Sequence, residues 1–194
     1  MSVLNGLVLM GGSSTRMQQD KASLKYHGLP QYEHIYRMMQ PFCKEVYLST
    51  SRLDYTLPVI PDLAIYQDIG PMAGILSAYH KIQTSWLVIA IDYPWISEID
   101  VETLISERST AFDASVFYNE ESGFFEPFLG IYEKSFFTNT SANWSSANYS
   151  MQQILKQAHV CRVRPHSNET LKSVDTPVDY NLVKNKINDT KGNS

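Results

Sequence analysis

Five consecutive apolar residues, Leu87-Val88-Ile89-Ala90-Ile91, stop abruptly at Asp92-Tyr93-Pro94. A strand with one face in water alternates apolar and polar residues, whereas an unbroken apolar run needs cover on both faces. That is the situation of a parallel sheet sandwiched between helices. The run therefore reads as a central strand, and the rest of the chain must supply its neighbours and the helices that cover it.

The remaining pattern does so. Leu7-Val8-Leu9 runs into Gly11-Gly12 and reads as a second buried strand ending in a loop. Val46-Tyr47-Leu48, Val59-Ile60, Ala114 to Tyr118 and Phe128 to Tyr132 read as further strands. Helical stripes lie between them: Tyr32, Ile35, Tyr36 and Met39, bracketed by Pro30 and Pro41; then Met72, Ile75, Leu76 and Tyr79; then Val101, Leu104 and Ile105. Met151, Ile154, Leu155 and Ala158 mark another, and Thr176-Pro177 opens a last helix through Val183 and Ile187. The alternation predicts an α/β fold, a doubly wound, mostly parallel sheet with helices on both faces. One domain spans 1–187, and residues 188–194 form a polar tail expected to fray. Thr138 to Ser150, rich in Asn, Ser and Thr, reads as a loop or a loosely packed helix end.

With 194 residues, 43% of them hydrophobic, the chain has the apolar material for one such core without disulfides or metal staples. A formal charge of −4 and a pI near 5.7 argue against a polyanionic partner such as nucleic acid. Cys43 and Cys161 write neither a disulfide framework nor a thiolate zinc site. The five histidines form no zinc spacing and read as surface residues. Met1 to Met10 lacks the layout of a signal peptide, and no apolar run approaches the ~18 residues of a membrane span. The expectation is a cytoplasmic protein in a reducing compartment, without a membrane partner.

Open α/β sheets bind ligands beyond the carboxyl ends of their strands. The segments there are Gly11-Gly12-Ser13-Ser14-Thr15-Arg16, Pro61-Asp62 and Asp92-Tyr93-Pro94. Paired glycines let backbone N–H groups approach an anion, and Arg16 and Lys21 are cationic phosphate partners, so the first loop reads as a triphosphate cradle. It is neither a Walker A loop nor a dinucleotide fingerprint, and read alone it fits a Gly-Gly turn with two solvated cations equally well. Asp92 suits Mg²⁺, which favours one or two carboxylates with phosphate oxygens and water; the other reading is an Asp that caps the turn before Pro94. Asp62 divides evenly between ligand and turn residue. Asp68 to Gly74 enters the second helix, where Gly70 and Gly74 leave its N-terminus open to a ligand or serve only the helix start and packing.

Together these residues resemble the molybdenum cofactor guanylyltransferases and their nucleotidyltransferase relatives. That family's hallmark is L-A-G-G-x-S-x-R-M-G-x-D-K after a strand; here Leu9-Met10-Gly11-Gly12-Ser13-Ser14-Thr15-Arg16-Met17-Gln18-Gln19-Asp20-Lys21 stands in its place. Gly70-Pro71-Met72-Ala73-Gly74-Ile75 is similar to G-P-L-A-G-I, Asp92-Tyr93-Pro94 to D-M-P, and Glu126 to Tyr132 to Q-P-L-x-G-L-Y. The resemblance implies a Rossmann-like nucleotidyltransferase fold. It implies Leu9, Met10 and Gly11 against the purine, Gly12 in the same nucleotide cradle, Arg16 and Lys21 on the triphosphate, Asp62 and Ser49 on the nucleoside, and Asp92 on Mg²⁺. Met10 replaces Ala, Gln18 replaces Gly and Ser49 replaces Asn, changes that fall on the base side.

The implied reaction transfers GMP from GTP to the phosphate of a molybdopterin-type cofactor and releases pyrophosphate, with Arg16, Lys21 and Asp92 as the catalytic set. Other cofactor-biosynthesis proteins would then be partners. Two rivals stand beside it: a cytidylyl or uridylyl transferase acting on another phosphorylated small molecule, and a non-catalytic nucleotide-binding protein that kept the cradle.

Overall fold

Every residue of Ser85–Ala90 is buried, Trp86 completely, and this strand lies at the middle of a seven-stranded sheet. The computed structural model describes residues 3–10, 21–66, 69–141 and 150–192. The strands are β1 (Leu4–Leu9), β2 (Val46–Ser49), β3 (Val59–Ile60), β4 (Ser85–Ala90), β5 (Ala114–Asn119), β6 (Phe124–Tyr132) and β7 (Val160–Val163). Their spatial order is β3-β2-β1-β4-β6-β5-β7. The helices are α1 (Gln31–Met39), α2 (Met72–Lys81), α3 (Glu98–Ser106), α4 (Lys134–Asn139), α5 (Met151–Gln157) and α6 (Pro177–Gly192).

The winding follows from handedness. The β1–α1–β2 step moves one way along the sheet and β3–α2–β4 moves back, so right-handed crossovers place α1 and α2 on opposite faces. Helix α1 packs on β1 and β2 and meets α3, while α2 crosses the other side of β1 to β4. The buried stripe of α1 is Gln31, Ile35, Met38 and Met39, with Tyr32 and Tyr36 only half-buried, a small rotation from the stripe expected.

Strand β6 runs antiparallel to both neighbours, β4 and β5, while the other pairings are parallel. The cause is local. Residues 120–123 are too few for a crossover, so β5 and β6 form a hairpin. Asn119 Oδ1 accepts from the backbone N–H groups of Glu121 and Ser122, and Gly123 takes the left-handed φ of 74° that closes the turn. Strand β6 starts four residues before Phe128 despite Pro127. The β5–β6 register slips between Val116 and Tyr118, so Pro127 falls where no ladder donor is required.

Two elements have no counterpart in the pattern reading. Strand β7 is short and half-exposed, with Arg162 in its centre, and α4 lies within six residues of aromatic and polar sequence. Helix α6 continues through Gly192, beyond the last apolar position at Ile187. Among the described residues, no helix is long and apolar enough to cross a membrane.

Candidate active site

The register across four strands aligns one edge. Ile60 pairs with Ser49, Ser49 with Leu9, and Leu9 with Ala90, so β3, β2, β1 and β4 end in a common row. The chain just past that row carries the residues expected to bind ligand. Met10 N donates to Ser49 O at 3.2 Å, and Leu9 O accepts from Ile91 N at 3.1 Å, which fixes the exit of β1 between its neighbours. Gly11, Gly12 and Arg16 lie outside the described residues, as does Asp68.

On the β2 side, Ser49 is buried and donates from Oγ to Asp62 Oδ1 at 3.3 Å, joining the two residues assigned to the nucleoside. The hydroxyl is confined from behind. A Cβ placed on Gly74 of α2 would stand 2.1 Å from Ser49 Oγ, so the helix approaches the strand as closely as it does only because position 74 has no side chain. Ser77, one turn further on, accepts from Leu63 N at 2.8 Å and ties the Asp62 loop to the same helix.

On the β4 side, Asp92 is mostly buried, and its Oδ1 has no hydrogen-bond partner. Burial pushes its carboxyl above the usual range; Lys21 nearby opposes that shift and Asp175 adds to it. A buried carboxylate oxygen without a donor is costly unless something outside the chain completes it. Asp175 is the partner that the sequence reading missed. Its Oδ1 holds Lys21 Nζ at 2.7 Å, and the preceding residue ties the backbones together, Val174 N donating to Asp92 O at 2.8 Å. Two carboxylates and one ammonium thus converge at the end of the central strand.

A second, smaller core makes this possible. Leu24, Tyr26, Val174 and Ile187 pack together, flanked by Trp95, Tyr180 and Val183, and the Tyr26 and Tyr180 rings meet edge to face with centroids 5.1 Å apart. This cluster holds the segment after Lys21, the loop after Asp92 and the start of α6 as one unit. Asp100 Oδ1 accepts from His166 N and Oδ2 from Thr170 Oγ1, which anchors the chain leading to Asp175. Thr176 and Asp179 cap α6 reciprocally, each side chain accepting the other's backbone N–H. The signal for Asp175 was present in the sequence as a carboxylate directly before the Thr176-Pro177 helix start. Its proximity to Lys21 was not.

The third wall comes from β6. Tyr93 is buried and its hydroxyl donates to Glu126 Oε2 at 3.0 Å. Burial raises the Glu126 carboxyl, and Asp92 raises it further, against the Tyr93 hydrogen bond. Opposite the carboxylates, His27 Nε2 donates to Pro94 O at 2.9 Å while its ring stacks on His34, centroids 4.0 Å apart. His27 is half-buried and structural, not the surface residue expected. Among the described residues, no group of three or more His, Cys, Asp and Glu is arranged around a metal position. One or two carboxylates are nevertheless the protein donors that Mg²⁺ favours, and the orphaned, buried Asp92 Oδ1 fits that need for a partner.

Solved structures share this architecture over nearly the whole chain. Molybdopterin-guanine dinucleotide biosynthesis protein A from Archaeoglobus fulgidus superposes with a TM-score of 0.77 at 19% identity, covering 96% of this chain and 100% of that one. The 2-C-methyl-D-erythritol 4-phosphate cytidylyltransferase from Thermus thermophilus gives a TM-score of 0.65 at 15% identity, covering 97% and 100%. At these identities the likeness is one of fold, and the fold is that of the α/β nucleotidyltransferases. The MobA-like NTP transferase domain model matches residues 6–163, and the chain belongs to that family. The molybdenum cofactor biosynthesis bifunctional protein of Synechocystis sp. is 30% identical over 187 residues, 93% of this chain. This chain spans only 53% of that relative's length. The probable molybdenum cofactor guanylyltransferase of Flavobacterium johnsoniae is 34% identical over 138 residues, 69% of this chain and 70% of its own.

Proposed function

We propose that the chain is a Mg²⁺-dependent guanylyltransferase that moves GMP from GTP onto the phosphate of a molybdopterin-type acceptor. The observation that carries the reading is the buried, unpartnered Asp92 Oδ1 beside the Lys21–Asp175 pair, at the carboxyl end of the central strand. Family membership supplies the reaction class, and the relatives named as probable molybdenum cofactor guanylyltransferases support GTP and a molybdopterin-type acceptor as the substrate pair.

An acceptor phosphate oxygen attacks the α-phosphorus of GTP. The new P–O bond forms as the bond to the bridging α–β oxygen breaks, and its electron pair leaves with pyrophosphate. No covalent nucleophile is needed from the protein, so orientation and charge neutralisation are the whole of its task. Mg²⁺ held by Asp92 and Asp175 would neutralise charge on the triphosphate. Lys21, oriented by Asp175, supplies positive charge to the departing phosphates, and Arg16 joins it on this reading. The edge formed by Met10, Gly11, Gly12, Ser49 and Asp62 takes the nucleoside, with Asp62 held in place by the Ser49 hydroxyl. Burial of Ala90, Ile91 and Tyr93 around the Asp92 backbone keeps bulk water away from one side of the carboxylate. The two thiols are unpaired, which supports a reducing cytoplasm as the compartment.

The test is pyrophosphate release from each of the four NTPs with Mg²⁺, with and without molybdopterin. Release from GTP alone that depends on the acceptor establishes the reading. Release from CTP instead would make the chain a cytidylyltransferase, and binding without release from any NTP would make it a nucleotide-binding protein only.

A further inference from the structure

The last β4–β6 ladder pair is Ile89 with Leu129, and beyond it the chain turns so that the side chain of Tyr93, next to Asp92, reaches Glu126 near the start of β6. Glu126 is only half-buried, but it stands on the wall of the site, and Asp92 is close enough to raise its carboxyl. Its Oε2 is pinned by the hydroxyl of Tyr93, the residue next to Asp92. The β6 strand itself is held by α5, Gln152 accepting from Phe125 N and donating to Phe125 O. The carboxylate is therefore oriented by one neighbour and set on a fixed backbone by another.

A second acidic group beside Asp92 is unfavourable for the fold, since like charges in a partly desolvated site oppose each other's ionisation. The Tyr93 hydroxyl could donate equally well to the neutral amide oxygen of a glutamine, so the hydrogen bond does not account for the charge. Residues that lower stability with no structural return concentrate where ligands bind. An ionised carboxylate accepts hydrogen bonds and donates none, and it repels phosphate oxygens. Next to Asp92 it selects for a part of the substrate that presents N–H or O–H groups and against one that presents anionic oxygen.

We infer that Glu126, aligned by Tyr93, is a specificity-determining residue for the acceptor: it accepts hydrogen bonds from N–H or O–H donors of the acceptor's neutral heterocyclic part, close to the reacting phosphate. The inference rests on the transferase reading above and assigns the acceptor side of that site to the start of β6, across Asp92 from the nucleoside edge at Ser49 and Asp62. No group transfer passes through Glu126; it positions and selects.

Initial rates with molybdopterin, GTP and Mg²⁺ each varied in turn test it on the wild type, Glu126→Gln and Tyr93→Phe. Glu126→Gln keeps one accepting oxygen but replaces the other with a donating NH2 and removes the charge, which raises the acceptor KM about tenfold or more, and Tyr93→Phe raises it severalfold. The KM for GTP and the Mg²⁺ half-saturation stay within about twofold of wild type. The melting temperature of Glu126→Gln equals or exceeds that of the wild type, because the like charge beside Asp92 is gone; a merely structural Glu126 would give a lower one. An unchanged acceptor KM, or a rise in Mg²⁺ requirement that would make Glu126 a metal ligand, overturns the inference and leaves the transferase reading standing. A wild-type protein that binds NTP yet shows no acceptor-dependent release overturns both.

Discussion

Lys21 and Asp175 are 154 positions apart in the chain and meet at 2.7 Å beside the unpartnered carboxylate oxygen of Asp92. The pair is poorly placed to stabilise the fold: the Asp175 side chain is 55% exposed, and ion pairs so open to solvent contribute about 0–1 kcal/mol. Its value lies in where it holds the ammonium group.

Removing that charge separates the two roles. Lys21→Met should lower turnover at saturating substrates about a hundredfold, near 3 kcal/mol of barrier, while shifting the melting temperature by only about 2 °C. Asp92→Asn should lower turnover at least as far. Pyrophosphate release and thermal melts on the same samples check both, and wild-type turnover in either variant would remove that residue from the machinery.

The buried ion pair at the opposite end of β4 should behave in the reverse sense. Arg108 Nε and Glu133 Oε1 are 2.5 Å apart at 6% and 7% exposure, and Ser85 Oγ donates to the same carboxylate. Arg108→Ala strands a buried charge, at a cost of about 3–5 kcal/mol. Urea denaturation should show that loss, with substrate KM values unmoved in protein that remains folded. A shift below about 1 kcal/mol would mean that the site rehydrates freely.

Gly74→Ala tests the close approach of α2 to β2. The added methyl would stand 2.1 Å from Ser49 Oγ and 3.0 Å from Leu9 Cδ2, so the serine must turn away from Asp62 or the helix must lift. Overpacking of this kind costs about 1–3 kcal/mol. On the proposed reading the KM for GTP rises while that for the acceptor does not. Equal changes in both KM values would show that Ser49 and Asp62 do not sort nucleoside from acceptor.

Cys43 offers a pH test away from the site. Burial pushes its thiol up to about 12 from an ordinary 9.0, with Arg108 pulling the other way. The folded chain keeps a proton that the unfolded chain gives up, so this group's stabilising contribution is whole below pH 9.0 and fades as the pH rises through about 12. Iodoacetamide at pH 8 should label native Cys43 at least about tenfold more slowly than Cys43 in denaturant. Equal rates would mean that the thiol is not shielded.

How much of this was written in the sequence depends on the range of each interaction. Asp92 was legible because an apolar run of central-strand character stops at it, and a strand end needs no knowledge of distant partners. Asp62 was reachable in the same way, as a residue just past a strand end, whereas Ser49 followed only from the family resemblance; the hydrogen bond between them depends on β2 and β3 being neighbours. Asp175 was not reachable, because its meaning comes from a contact with Lys21 that only the small core around Tyr26 and Val174 creates. Glu126 lay in a strand whose start was masked by Pro127, and its link to the Asp92 loop is a hydrogen bond from Tyr93 that depends on β6 lying next to β4. Strand β7 escaped because four residues with a central arginine carry too little periodicity to register.

The small core around Tyr26 and Val174 also bears on how the protein is made. All seven strands are complete once the ribosome has passed Val163, so the sheet has everything it needs to close at that stage. Asp175 and α6 are still to come. A nascent chain can therefore own a finished sheet and an exposed Asp92 edge while Lys21 has nothing to hold it, and the proposed site is complete only when the segment carrying Asp175 docks. Vectorial synthesis thus imposes a delay between closing the sheet and completing the proposed site, set by the distance in sequence between Lys21 and the aspartate that fixes it.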